Sequence, residues 1–130
     1  MQLLESGEMY LETIYILSKK GVVHSVDVSE YMNFTKPSVS RAIGLLKEGG
    51  YVQMEKNGEL TLTDAGRRVA ENIYEKHCVI TAFLTSLGVD PDIAVEDACK
   101  MEHYISDASF KAIKDYAEQY VNKQNQTETH

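Results

Sequence analysis

The stretch TKPSVSRAIGLLKEGGYVQMEKNGELTLT, residues 35–63, decides the fold. Pro37 stands where a helix can begin, because its fixed φ suits the first turn and its missing N–H has no partner to lose there. Val39, Ile43, Leu45 and Leu46 then recur at helical spacing through Lys47, and Gly49-Gly50 ends the run. Two short alternating segments follow, Tyr51 to Glu55 and Glu59 to Thr63, joined at Asn57-Gly58. An Asn-Gly pair between alternating runs predicts a hairpin with a type I′ turn, which needs positive φ at both residues.

Working outward, residues 3–18 are expected as a first helix, with Leu3, Leu4, Tyr10, Ile14 and Leu17 on its stripe and Gly21 closing it. A second helix is expected after Ser25 as N-cap, through Val26, Val28, Tyr31 and Met32, with a turn from Asn33 to Lys36. Helix, helix, turn, helix and hairpin is the order of a winged helix-turn-helix. Downstream, Thr63 should cap a long helix reaching Leu87, with Ala70, Ile73, His77, Ile80 and Leu84 along one face. Gly88 ends it, Asp90-Pro91 opens a helix to about Ile105, and a last helix is expected over Ser109 to Val121. The predicted class is mainly α with a small β-hairpin. Residues 1–70 form the winged helix-turn-helix, residues 71–122 a helical domain, and the polar segment 123–130 a disordered tail.

Composition narrows the function. With 43% hydrophobic and 25% charged residues over 130 positions, wholesale disorder is excluded. Two cysteines make no disulfide framework, the N-terminus MQLLESGEMY lacks the features of a secretory signal, and no apolar run approaches the ~18 residues of a membrane span. A soluble cytoplasmic protein is expected. The net charge of −7 argues at first against nucleic acid, but residues 1–70 carry −1 of it and residues 71–130 carry −6. A DNA surface needs a local basic stripe, and Lys36, Arg41 and Lys47 lie close together in the nearly neutral half. The acidic half invites a cation.

In a helix-turn-helix the second helix of the motif presents its N-terminal residues to base edges in the major groove of double-stranded DNA. Here those residues are Thr35, Lys36, Pro37, Ser38, Ser40 and Arg41. Arg41 suits guanine O6 and N7, and the serine hydroxyls suit bases or phosphates. Lys47, Lys56 and Asn57, with Lys36, are candidate backbone contacts, which give affinity rather than sequence. A solvated helix face with a capping serine is the ordinary alternative for any one of them.

A second constellation carries metal chemistry. Cys99, Glu102 and His103 fall at i, i+3 and i+4 on the expected fifth helix and offer sulfur, oxygen and nitrogen donors from one side. Met9 and Glu12 share a face of the first helix, and His77 lies on the apolar face of the fourth. Each also has an ordinary reading: Met9 as a gap filler, Cys99 as a small hydrophobe, His77 as a hydrogen-bonded core residue, the glutamates as surface carboxylates. Spacing alone leaves the two readings balanced.

The segments EMYLETIY at 8–15, KPSVSRAI at 36–43, LTLTDAGRRVA at 60–70, EKH at 75–77 and ACKMEHYIS at 98–106 resemble the diphtheria-toxin-repressor family of metal-dependent transcriptional regulators. The resemblance covers Glu8 to Val121. It implies a winged-helix DNA-binding domain, a helical dimerisation domain and metal bound at their junction, in a form without the SH3-like third domain. It places Met9, Cys99, Glu102 and His103 on the regulatory metal site, a set similar to the iron-sensing branch. Glu12 and His77 match the second metal position of the manganese-sensing branch, which shares Glu102. The iron branch's ancillary acid and histidine are replaced here by Thr81 and Val95.

Thioether and thiolate donors suit softer ions better than Mn(II), so Fe(II) is favoured over Mn(II), and Co(II), Ni(II) or Zn(II) are expected to bind in vitro. The expected function is an Fe(II)-activated repressor of metal-uptake genes, acting as a homodimer on an operator, with metal clamping the DNA-binding lobe to the dimerisation lobe. No membrane and no organic cofactor enter this reading. The alternatives are an Mn(II)-responsive repressor of the same family and a winged-helix regulator with a non-metal trigger. An enzyme is not expected: no Glu-x-x-His pair of a di-iron carboxylate protein occurs, and Cys99 with His103 lacks an evident oxyanion donor pair.

Overall fold

The computed structural model describes residues 5–128, so Leu3, Leu4 and His130 lie outside the described residues. The elements run α1 (Glu5–Ser18), α2 (Ser25–Met32), α3 (Lys36–Glu48), β1 (Val52–Met54), β2 (Leu60–Leu62), α4 (Asp64–Ser86), α5 (Pro91–Met101) and α6 (Asp107–Glu128). The chain divides into two compact units, residues 1–73 and 74–130.

The first unit is the expected winged helix-turn-helix. Its core collects Leu11 and Ile14 from α1, Val28 from α2, and Val39, Ile43 and Leu46 from α3, with Val52 and Leu60 from the strands. The α3 residues stand at i, i+4 and i+7, the narrow stripe of a helix packed on one side; Leu45, expected on that stripe, is exposed. Val26 and Tyr31 of α2 are exposed too, leaving Val28 as its apolar anchor. The second helix is capped one residue earlier than expected. His24 is the N-cap, and its N–H donates to Asp27 Oδ2 at 2.8 Å, so Ser25 is already helical.

The hairpin is antiparallel with Val52 opposite Leu62 and Met54 opposite Leu60. Its turn differs from the expected type I′. Glu55 N–H donates to Glu59 O at 2.8 Å, which leaves three residues rather than two in the loop. A three-residue loop takes a type I turn followed by one left-handed residue. Gly58 supplies that residue at φ 87°, whereas Asn57 keeps negative φ and its Oδ1 accepts the Glu59 N–H at 3.0 Å. Val23 O accepts from Leu60 N at 2.8 Å, tying the α1–α2 connection to the outer side of β2.

Thr63 caps α4 as expected. Its Oγ1 accepts the Gly66 N–H at 3.1 Å and donates to Gly50 O at 2.7 Å, while its N–H donates to Tyr51 O. Gly66 is required at this junction, because a Cβ there would run into the Tyr51 carbonyl oxygen.

The second unit packs Ile80 of α4, Ala98 of α5 and Phe110 of α6 into a small core, flanked by Val79, Leu84 and Ile105. Three boundaries differ from expectation. α5 ends at Met101 instead of continuing to Ile105, since Ser106 caps the next helix: its Oγ accepts the Ser109 N–H at 3.1 Å. α6 therefore starts at Asp107 instead of Ser109, and it continues to Glu128, past Val121. Among the described residues no helix is long and apolar enough to cross a membrane.

Candidate metal centre and nucleic-acid interface

Thr35, Lys36, Pro37, Ser38, Ser40 and Arg41 are all exposed, around the buried Val39 that anchors the same turn. Thr35 is the N-cap of α3. Its Oγ1 accepts the Ser38 N–H at 3.4 Å and donates to Ser38 Oγ at 2.8 Å. Pro37 falls in the first turn, where it withholds no helical hydrogen bond. The first turn of α3 contains no acidic residue, so the positive end of the helix dipole and Lys36 act in the same direction. Lys47 is exposed in the last turn. At the hairpin, Lys56 and Asn57 are exposed, but Glu55 and Glu59 flank them, so the tip is not a basic patch.

The candidate metal centre is built in the second unit from helical stripes. On α4, His77 follows the Ile73 position by four residues and precedes Ile80 by three, which keeps it on the inward side. On α5, Ala94, Ala98 and Glu102 continue one line at i, i+4 and i+8. The first two are fully buried, and Glu102 is 1% exposed. The helix stops before Glu102, but Glu102 keeps helical backbone angles as C-cap and its N–H donates to Ala98 O at 2.9 Å. Its side chain therefore still points where the periodicity placed it. His103 stands in the turn beyond the helix.

The donors converge. His77 Nδ1 lies 3.0 Å from Glu102 Oε2, and Cys99 Sγ lies 3.7 Å from His77 Nδ1. One ligand atom from each of His77, Cys99 and Glu102 lies within 4.8 Å of the others. His103 Nε2 faces the opposite carboxylate oxygen, Glu102 Oε1, at 3.4 Å. A carboxylate this buried is costly unless a positive charge or several hydrogen bonds compensate it. Glu102 has imidazoles on both oxygens and a thiol beside one of them. An imidazole, a thiol and a carboxylate so placed match the donor set of a divalent transition ion. Met9 and Glu12, the other expected ligands, belong to the first unit, one turn apart and half-buried on α1.

A model of the iron dependent repressor N-terminal DNA binding domain matches residues 2–60, and one of the iron dependent repressor metal binding and dimerisation domain matches residues 63–126. The chain belongs to the diphtheria-toxin-repressor family of metal-dependent regulators. An uncharacterized HTH-type transcriptional regulator of Methanocaldococcus jannaschii is 34% identical over 122 residues, covering 92% of this chain and 98% of that one. The diphtheria toxin repressor of Corynebacterium diphtheriae is 32% identical over 107 residues, covering 81% of this chain and 47% of that one. The structure of the manganese regulator SloR superposes with a TM-score of 0.77 at 28% identity, covering 91% of this chain and 55% of that one. The chain thus spans about half the length of these last two. Members of the family are transcriptional regulators rather than enzymes.

Proposed function

We propose that this chain is an Fe(II)-activated repressor that binds operator DNA as a homodimer through α3 and the hairpin. The observation that carries the reading is the convergence of His77, Cys99 and Glu102 within a segment matching a metal binding and dimerisation domain. The chemistry of the donors supports iron: the Cys99 thiolate and the Met9 thioether suit a softer ion than Mn(II), which prefers carboxylate, carbonyl and water. One observation favours a second reading with Mn(II). His77 sits 3.0 Å from Glu102, and with Glu12 these residues follow the manganese-sensing pattern, as does the likeness to a manganese regulator.

When bound, a divalent ion supplies positive charge that offsets Glu102 and the Cys99 thiolate. Glu102 holds His77 and His103 in orientation through its two oxygens. Met9 and Glu12 supply the donors from α1 and link metal occupancy to the DNA-binding unit. Thr35 holds the first turn of α3, Arg41 reads bases, and Lys36, Lys47, Lys56 and Asn57 hold phosphates. A coupling of about 1–3 kcal/mol between metal and DNA is the usual size for such linkage. By this reading the genes repressed are those of metal uptake.

The test is anaerobic selection from a random duplex pool in three arms: chelator, Fe(II) and Mn(II). A palindromic site enriched only with metal, and more strongly with Fe(II), is the expected result. Stronger enrichment with Mn(II) would move the reading to manganese. Equal enrichment under chelator would overturn metal control.

A further inference from the structure

We propose that Gly44 and Leu45 form a second base-reading step on α3, one turn beyond Arg41: Leu45 selects thymine by its C5-methyl group, and Gly44 admits the duplex closely enough for that contact. The inference rests on the operator-binding reading above and deepens it by naming a base and the residues that choose it.

The exposed side of α3 is polar and cationic apart from one side chain. Ser38, Arg41 and Leu45 stand at i, i+3 and i+7, and so share a strip turned away from the buried Val39, Ile43 and Leu46. Leu45 is 50% exposed, and among the described residues it is the one large apolar side chain that α3 exposes. Its neighbours on the strip are polar, so α3 offers no contiguous apolar patch of the kind that covers another protein. In the major groove the standard bases offer one apolar group, the thymine methyl; the other edge groups are hydrogen-bond donors or acceptors. Leucine has neither function. It therefore discriminates for that methyl and against cytosine, whose amino group would lose water without gaining an acceptor.

Gly44 is the second, independent observation. Glycine weakens a helix relative to alanine, so a glycine in the interior of α3 calls for a reason. The chain itself supplies none. Gly44 has ordinary helical backbone, and a Cβ built on it meets nothing within 4 Å, whereas one on Gly66 would strike the Tyr51 carbonyl oxygen. The room that Gly44 leaves lies outside the protein, beside Leu45 and three residues from Arg41. A base edge can use that room, because apolar contact needs heavy atoms within about 4.0–4.5 Å.

Glu48 bounds the surface. It is exposed as the last residue of α3, one turn beyond Gly44 and Leu45, where its carboxylate repels phosphates. An α-helix rises about 5.4 Å per turn and B-DNA about 3.4 Å per base step. The thymine therefore lies about one to two base pairs from the base that Arg41 reads.

The test uses the full chain in whichever arm of the duplex selection enriches most strongly. The selected palindrome is remade with uracil for thymine, position by position in both half-sites, which removes the methyl and keeps base pairing. At one position wild type should lose about fifteenfold in affinity, since burying each methyl is worth about fourfold and two half-sites contribute. Leu45→Ala should bind the thymine and uracil duplexes within about twofold of each other, with circular dichroism and melting as in wild type. Gly44→Ala should melt a few degrees higher, yet bind the operator about tenfold or more weakly.

A uracil penalty that Leu45→Ala keeps would overturn the thymine assignment. So would a loss of affinity in Leu45→Ala that is equal on both duplexes, and a changed sedimentation coefficient would then give Leu45 to a protein contact. Operator binding by Gly44→Ala as tight as wild type would overturn the close approach. A strong palindrome indifferent to uracil at every thymine would overturn this inference alone, whereas no enriched duplex in any arm would overturn the operator reading and this inference with it.

Discussion

The first unit buries an almost wholly apolar interior, whereas the second places ionisable groups where a small domain usually keeps hydrocarbon. In residues 1–73 the buried cluster runs from Tyr10 and Leu11 through Val23, Val28, Val39, Ile43 and Leu46 to Val52 and Leu60. In residues 74–130 the corresponding cluster is Ile80, Ala98 and Phe110, while Lys76 and Glu102 are buried as well. Lys76 resolves its burial outward, reaching Asp107 at 3.4 Å and resting over the Phe110 ring. Glu102 resolves its burial inward, toward histidine and thiol. Burying a Val, Leu or Ile contributes about 1.5–3 kcal/mol, so the first unit has the means to be a stable scaffold. The second unit has fewer such contributions and exposes Leu87, Ile93, Met101, Tyr104 and Tyr116, the kind of surface a dimerisation domain covers.

The largest expected effect is therefore a core truncation in the first unit. Ile43→Ala removes a fully buried branched side chain from the centre of α3 and should cost about 2–5 kcal/mol, read by chemical denaturation. Hydrogen exchange should locate the loss in α1–α3. An equal loss across α5 and α6 would mean that the two units fold as one and would break the comparison.

Metal should act on the opposite unit. At Co(II) about a hundredfold above its dissociation constant, mass action stabilises the state that binds it by about 2.7 kcal/mol. Hydrogen-exchange protection should rise around His77 and from Ala94 to Met101, and chelator should reverse it. A rise confined to α2 and α3 would contradict a ligand set based in the second unit.

Between these lies the junction of hairpin and long helix. Gly66→Ala places a Cβ against the Tyr51 carbonyl oxygen, where backbone rather than a movable side chain must give way. The expected cost is about 1–3 kcal/mol, measured by thermal denaturation, with operator affinity falling further because the hairpin is displaced. Unchanged stability would show that the Thr63–Tyr51 link is not a fixed hinge of the wing.

The order of helices and hairpin was legible because each element carries its own punctuation: Pro37, Gly49-Gly50, Thr63 and Asp90-Pro91. The details that were missed depend on neighbours that periodicity does not encode. Asn57-Gly58 signals a turn, but the pairing of Glu55 with Glu59 sets the loop length and so the turn type. The end of α5 is dictated by Ser106, a cap for the following helix, and no glycine marks it. His24 replaces Ser25 as a cap because Asp27 reaches back to the His24 N–H. The candidate metal donors were legible for a different reason. Cys99 and Glu102 keep the i, i+3 relation even where the helix ends, since Glu102 retains helical backbone angles. His103, one residue later, faces the opposite carboxylate oxygen from His77, which spacing alone does not foretell.

The smallest effect tests whether the first turn of α3 is scaffold or reader. Thr35→Ala removes the acceptor of the Ser38 N–H and the donor to Ser38 Oγ, a loss of about 1 kcal/mol for an N-cap. Thr35→Ser should restore it, since the hydroxyl is what caps. If the turn only supports α3, operator affinity should change by no more than the stability does and Ser38→Ala should be silent. If Thr35 also orients the Ser38 hydroxyl toward DNA, both Thr35→Ala and Ser38→Ala should lower affinity while Ser38→Ala leaves melting unchanged. That split places function on the exposed side of the apolar unit. A shared fall in melting and affinity would return Thr35 to a purely structural role.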